Sequence, residues 1–194
     1  MRIGITGGIG CGKSTVAGLF EDHGWRRLDS DALVRDQVLT DARVQQKLQQ
    51  RFGSEVMAAD GTVNRVWLGE RVFTDNAVRL WLEELTHPVL FDLWRATFAA
   101  ESNVAWTVEV PLLFEKNLEN WFDFTVCVAC SHGQQLARLE LRGLPHALAE
   151  QRISKQLPLE QKIEQADFVL WNEGSPEFLQ DQVDQLIGSL TVGR

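Results

Sequence analysis

The sequence is poor in cysteine and in positive charge, and it has no long apolar run. Three cysteines are an odd number and give no basis for a disulfide framework. Lysine and arginine number 19 against 27 aspartates and glutamates, a formal charge of −8. That argues against non-specific nucleic-acid binding, which depends on clustered cations. It does not argue against a small anionic substrate, because a few local cations are enough to hold phosphates. No stretch of about 18 apolar residues occurs, so no membrane partner is expected. Internal repeats and low-complexity tracts are also missing. A strand enters a glycine loop directly after Met1, so we expect no signal or transit peptide and a cytoplasmic protein. The remainder is ordinary for a globular chain, with 44% apolar and 24% charged residues over 194 positions. Such a length suits one compact α/β domain with an insertion.

Periodicity orders the chain. Ile3-Gly4-Ile5-Thr6 reads as a first strand. Residues 13–23 carry Val16, Ala17, Leu19 and Phe20 at helical spacing, with Gly24 placed to stop the helix. Residues 25–29 read as a second strand. From about Ala32 to Ser102 the apolar positions recur helically, as Val34, Val38, Val44, Leu48 and Phe52 and again as Leu80, Leu82, Leu85, Leu90, Phe91 and Leu93. Turn signals interrupt this block at Asp60-Gly61 and at His87-Pro88, where the proline is expected to open a new helix. Strands return at 104–110 and 124–130. Amphipathic segments follow at 134–141 and 148–153, separated by Gly143-Leu144-Pro145. A short strand at Phe168–Trp171 leads into a closing helix over 176–190. Five strands alternating with helices predict a mainly parallel sheet covered on both faces, with a helical block inserted between the second and third strands.

Gly7-Gly8-Ile9-Gly10-Cys11-Gly12-Lys13-Ser14 fits G-x-x-x-x-G-K-[ST] without a mismatch, and it lies between a predicted strand and a predicted helix. Glycines allow backbone torsions that turn successive N–H groups inward as an anion site. The helix that follows points its positive end at the same place. Lys13 supplies a cation for the β- and γ-phosphoryl groups of ATP, and the Ser14 hydroxyl is the expected magnesium ligand. A nucleotide switch would also need a guanine-reading N-K-x-D motif, and none is present. A small-molecule kinase needs an acceptor site, a base and mobile cations. Asp29-Ser30-Asp31 lies at the end of the second strand, where open α/β sheets present ligand-binding residues. Asp31 could instead cap the helix that follows. Arg138, Arg142 and Arg152 cluster around the break at Gly143 and Pro145, as mobile cations or as a solvated helix face.

Cys127-Val128-Ala129-Cys130 has metal or redox spacing, but there is no second C-x-x-C and the pair falls within an apolar strand. Alternation sets the two on opposite faces, which fits buried structural thiols. Cys11 lies near a helix N-terminus that lowers thiol pKa, and its expected part is to supply a backbone N–H. His87 is a candidate ligand or base, or a histidine that packs locally at a helix start.

Over nearly its whole length the chain resembles the dephospho-CoA kinase family. The resemblance rests on Thr6 to Thr15, on Asp29, Asp31 and Arg35, on Asp60-Gly61 with Asn64-Arg65, and on His87-Pro88. It continues through V-P-L-L-F-E from Val110 to Glu115, Gln135 to Arg138, Arg152 to Gln156, Ala166-Asp167, and Asn172 before Gly174. It implies a three-layer fold of the P-loop type with a five-stranded parallel sheet, an inserted helical substrate domain and a helical lid. The nucleotide-binding core would be 1–31, 104–138 and 159–194, the acceptor-binding insertion 32–103 and the lid 139–158. It further implies transfer of the γ-phosphate of ATP, with Mg2+, to the ribose 3′-hydroxyl of dephospho-CoA. Both partners are small molecules, with no nucleic acid and no membrane. Gly8, Gly10, Cys11, Gly12, Lys13, Ser14, Thr15 and Asn172 would bind ATP, Asn172 from a loop near the adenine. Asp31 would be the base, Asp31, Arg35 and His87 would face the acceptor, and Arg138 and Arg142 would be the phosphate-contacting arginines. Trp171 and Glu173 flank Asn172 where the family often has Asp and a second Asn. Glu109, at a variable family position, is a strand-end carboxylate that could bind magnesium through water.

Overall fold

A computed structural model describes residues 1–192. The expected core segment 159–194 therefore ends in two residues that lie outside the described ones. By backbone proximity the chain divides into two compact units, one built from Met1–Leu28 and the chain from Asn103 onward, the other from Asp29–Ser102.

The first unit is a five-stranded parallel sheet. Its strands are β1 (Arg2–Gly7), β2 (Arg26–Leu28), β3 (Trp106–Glu109), β4 (Phe124–Ala129) and β5 (Phe168–Trp171), in the spatial order β2-β3-β1-β4-β5. The parallel five-stranded sheet expected from the sequence is present. Its central strand is buried at successive positions from Ile3 to Gly7, because a parallel sheet is covered on both faces. In register, Ile5 stands beside Glu109 on one side and Val126 on the other. This brings the carboxyl ends of β1, β3 and β4 to one rim, where α/β sheets hold ligands.

Helix α1 (Lys13–Asp22) packs against α9 (Pro176–Val192). Val16, Ala17 and Phe20 of α1 share a core with Ile3, Ile5, Val126, Val128, Leu179 and Val183. Gly24, at φ 83°, ends the α1 turn as the sequence predicts, and its N–H donates to Glu21 O. Four further elements of this unit are α6 (His132–Leu141), α7 (His146–Ser154), α8 (Leu159–Gln165) and the loop after β3. Ser131 caps α6 by accepting the Gln134 N–H, and α8 lies against β1 and β4. At the sheet edge, Gln182 of α9 clasps β5. Its side-chain amide accepts the Trp171 N–H at 2.8 Å and donates to Trp171 O at 2.9 Å.

The second unit is helical. It contains α2 (Ser30–Leu33), which runs into a π-helical turn at Val34–Val38, then α3 (Ala42–Phe52), α4 (Arg65–Thr74) and α5 (Asn76–Ala100). Polar side chains accepting from first-turn amides start each one: Asp29, Asp41, Asn64 and Asp75. Val38, Val44, Leu48, Leu68 and Trp94 are buried. Phe52 packs edge-on to Trp67 and Trp81, and the Arg51 guanidinium lies 4.5 Å from the Trp81 ring centroid.

Two expectations are corrected. Pro88 does not open a helix, because α5 runs unbroken through it. A mid-helix proline forfeits one backbone hydrogen bond, but Val78, Thr86, Leu90 and Trp94 are buried along α5 on both sides of it. That continuous buried stripe outweighs the local signal. Asp31 is neither at a strand end nor a cap, since β2 stops at Leu28 and Asp29 is the capping residue.

Candidate active site

The loop from Gly8 to Gly12 joins β1 to α1. The Cys11 N–H donates to Gly8 O at 3.2 Å and closes a tight turn. Gly12 has φ 97°, and a Cβ there would meet Asn172 Nδ2 at 2.2 Å, so backbone conformation and space both require glycine. Lys13 opens α1 and arches back over the loop, donating from Nζ to Gly8 O at 2.9 Å and Gly7 O at 3.2 Å. Desolvation at the loop pushes the Lys13 pKa below its ordinary 10.5, opposed chiefly by the negative charge of a Cys11 thiolate. Ser14 Oγ donates to Glu109 Oε2 at 2.8 Å, and Arg27 of β2 holds the other Glu109 oxygen. Thr15 follows, exposed, in the first turn of α1.

Arg138 and Asn172 bond to the loop and to each other. Arg138 Nη2 donates to Asn172 O at 2.9 Å and Oδ1 at 3.3 Å. Arg138 Nη1 approaches Gly10 O at 3.4 Å and Cys11 O at 3.5 Å, and Asn172 Nδ2 donates to Cys11 O at 2.9 Å. Loop, α6 and the turn after β5 are thus knit by side chains acting on carbonyls. Arg142 ends α6 with an exposed side chain, outside this group. Glu173 accepts the Ser131 N–H and so ties the same turn to the start of α6.

The three cysteines sort by environment. Cys11 is fully buried, and Cys130 donates to its sulfur across 3.5 Å. That hydrogen bond, aided by the Lys13 charge and opposed by burial, lowers the Cys11 thiol to about 7. The same pairing pushes Cys130 upward, and burial takes Cys127 up to about 12. Cys130 joins the core that contains Val126 and Val128 while Cys127 does not, as strand alternation predicts. The Cys11–Cys130 proximity was not visible in the sequence.

Sequence reasoning also missed Arg27, Gln156, and the pair of Glu115 with Lys162. Gln156 Oε1 accepts the Ile9 N–H at 3.0 Å. Lys162, fully buried in α8, pairs with Glu115 Oε1 at 2.8 Å and donates to Pro111 O at 2.8 Å. The available signal was the unexplained Glu115 and Gln156 in the motifs quoted above; Lys162, in a polar heptad, left none. A cavity of about 480 Å3 opens beside the loop, with Gly8, Cys130, Gln135, Ile153, Gln156 and Trp171 in its lining.

In the helical unit, Asp31 lies exposed in the first turn of α2. Arg35 makes a two-pronged pair with Asp36, Nε to Oδ1 at 2.6 Å and Nη2 to Oδ2 at 2.7 Å, which raises the Arg35 pKa and lowers that of Asp36. His87 is inside α5, its ring centroid 5.4 Å from that of Phe91.

A glycine loop on the central strand of a 2-3-1-4-5 parallel sheet, with a lysine arched over it and a strand-end carboxylate on its serine, defines a P-loop nucleotide-binding protein. A sequence profile of the dephospho-CoA kinase family matches residues 1–177. The chain is 43% identical to the dephospho-CoA kinase of Thermosynechococcus vestitus, over all of this chain and 96% of that one. It superposes on the crystal structure of TT1252 from Thermus thermophilus with a TM-score of 0.80 at 33% identity, covering 98% and 97% of the two chains. It shares its fold with the dephospho-CoA kinase from Campylobacter jejuni, with a TM-score of 0.74 at 24% identity over 99% and 98%. The chain belongs to the dephospho-CoA kinase family.

Proposed function

We propose that this chain transfers the γ-phosphoryl group of ATP to the ribose 3′-hydroxyl of dephospho-CoA, giving coenzyme A and ADP, the last step of coenzyme A synthesis. The observation that carries the reading is the intact phosphate loop, with Lys13 over its turn and Arg138 and Asn172 bonded to its carbonyls, in a chain of this family. Phosphoryl transfer through a loose transition state needs positioning and charge stabilisation more than covalent help from the protein. Backbone amides of the loop other than those of Ile9 and Cys11, together with the α1 N-terminus, supply fixed positive potential for the ATP phosphates. Lys13 adds a mobile cation at the transferring group. Arg138 and Arg142 are the phosphate-contacting arginines, and Asn172 lies in the loop near adenine.

Magnesium fits the donor set. Ser14 Oγ and the Glu109 carboxylate are adjacent hard oxygens, and no group of three or more His, Cys, Asp or Glu gathers as a metal cage among the described residues. Such a site suits an ion that takes one or two protein oxygens and fills its shell with water and phosphate. Ser14 would bind it directly and Glu109 through water, and when bound it neutralises charge on the phosphoryl oxygens.

Asp31 is the base for the acceptor hydroxyl, and Arg35 and His87 bind the acceptor. Residues 32–103 form the acceptor domain, 139–158 the lid, and 1–31, 104–138 and 159–194 the nucleotide core. The setting is cytoplasmic, and the partners are the two small substrates with neither nucleic acid nor membrane. Among the described residues no helix is long and apolar enough to cross a membrane. Incubating the protein with ATP, magnesium and dephospho-CoA should yield coenzyme A, seen as the added phosphate mass. ATP consumption without that product, or phosphorylation of shikimate or a nucleoside monophosphate in its place, would overturn the reading.

A further inference from the structure

Two consecutive residues at the junction of α7 and α8 reach back into the core. Gln156 Oε1 accepts the Ile9 N–H at 3.0 Å. The Leu157 N–H donates to Glu115 Oε1 at 2.9 Å, the oxygen that also pairs with buried Lys162. Ile9 is the second residue of the turn that the Cys11 N–H closes on Gly8 O. The same Gly8 carbonyl accepts from Lys13 Nζ. A shift of this turn therefore moves the carbonyl that orients the ammonium. The Gln156 amide holds the turn from outside, while Lys13 and the Cys11 N–H hold it from within.

We infer that Gln156 is a positioning residue for phosphoryl transfer. By holding the Ile9 amide it fixes the Gly8–Cys11 turn, and through Gly8 O it sets where Lys13 stands relative to the transferring group. It also ties that setting to the end of α7, so the phosphate loop and the 139–158 segment share one anchor. The inference rests on the kinase reading above and adds a residue that need touch neither substrate. The chemistry of the side chain fits the task. The Ile9 N–H needs a neutral acceptor, because a carboxylate there would accept equally well but stand as an anion beside the phosphate site. Misplacing a reacting array by about 1 Å costs on the order of 10²-fold in rate, so the anchor matters more for turnover than for binding.

The test uses the full chain with Gln156→Leu and Gln156→Glu. Turnover is measured with ATP, magnesium and dephospho-CoA, affinity by calorimetry with a non-hydrolysable ATP analogue, and loop order by amide exchange of the peptide carrying Ile9. Gln156→Leu should lower kcat by about 10- to 100-fold and lose protection at Ile9, while analogue affinity barely changes. Gln156→Glu keeps the acceptor, so kcat and protection should largely return, while analogue binding weakens and salt relieves the weakening. A Leu variant with native kcat, or Leu and Glu variants equally slow, overturns the inference. So does a Leu variant whose loss tracks a lower melting temperature alone. If the unaltered protein made no coenzyme A, the kinase reading would fail. The exchange and analogue-binding patterns would then still decide whether Gln156 holds the loop.

Discussion

Lys13 and Asp31 are the two side chains asked to do most, and they are asked for different things. Lys13 is a desolvated cation whose hydrogen bonds to Gly7 O and Gly8 O hold it over the loop. Lys13→Ala should lower kcat by on the order of 10²-fold or more while the circular dichroism and melting temperature stay near native. A variant with native activity would remove the loop from the mechanism. On the proposed reading, Asp31 orients a ribose hydroxyl and takes its proton as the new bond forms. Asn keeps the shape but cannot accept the proton, so Asp31→Asn should cost about 10²–10⁴-fold in kcat with little change in dephospho-CoA affinity. The structure removes one competing role, since the α2 cap is Asp29. Lost stability with near-normal turnover is therefore the phenotype of Asp29→Ala, worth about 1 kcal/mol. Partial rescue of Asp31→Asn by excess magnesium would move Asp31 out of the base role.

Among the elements, α8 makes the least obvious contribution. Its sequence Leu-Glu-Gln-Lys-Ile-Glu-Gln looks like a solvated surface, yet Lys162 is wholly buried against Glu115 and Pro111 O. Breaking a buried pair leaves an uncompensated charge, so Lys162→Ala should destabilise the fold by about 3–5 kcal/mol in chemical denaturation. The double replacement Lys162→Met with Glu115→Leu should recover much of that loss, and a single variant of native stability would refute the pairing. This contrast shows what the sequence could and could not convey. The β1–loop–α1 unit was legible because strand, glycines and lysine lie within one short stretch. Pro88 was misread because its signal is local whereas the buried stripe of α5 spans the helix. Lys162 and Gln156 were illegible as partners because the contacts that define them lie far along the chain, 147 positions away for Gln156 and Ile9. Asn172 could be nominated only through resemblance, and Arg138 only as one of a cluster of arginines, for the same reason.

The whole molecule carries a formal charge of −8, and its response to acid follows from how its carboxylates are held. Asp36, Asp41, Asp60, Glu173 and Glu177 all have pKa values lowered by hydrogen bonds, to Arg35, Arg43, Thr62, Ser131 and Ser175 respectively. A carboxylate with a lower pKa folded than unfolded adds stability that is present above its unfolded value. That stability is lost as pH falls through the folded one. The melting temperature should therefore hold at neutral pH and decline below the ordinary values of 3.8 for Asp and 4.5 for Glu. Four of the five are exposed and Asp41 is half-buried, so added salt should flatten the decline; a melting temperature unchanged down to pH 3 would show that these bonds add nothing. A last consequence lies at the rim of the sheet. Strand β5 ends the order β2-β3-β1-β4-β5, and a bare strand of that kind is a template on which a stray chain can polymerise. The Gln182 amide supplies one donor and one acceptor to Trp171, standing where the peptide group of a sixth strand would. The enzyme thereby carries a stopper against its own aggregation, made from a single side chain of its last helix.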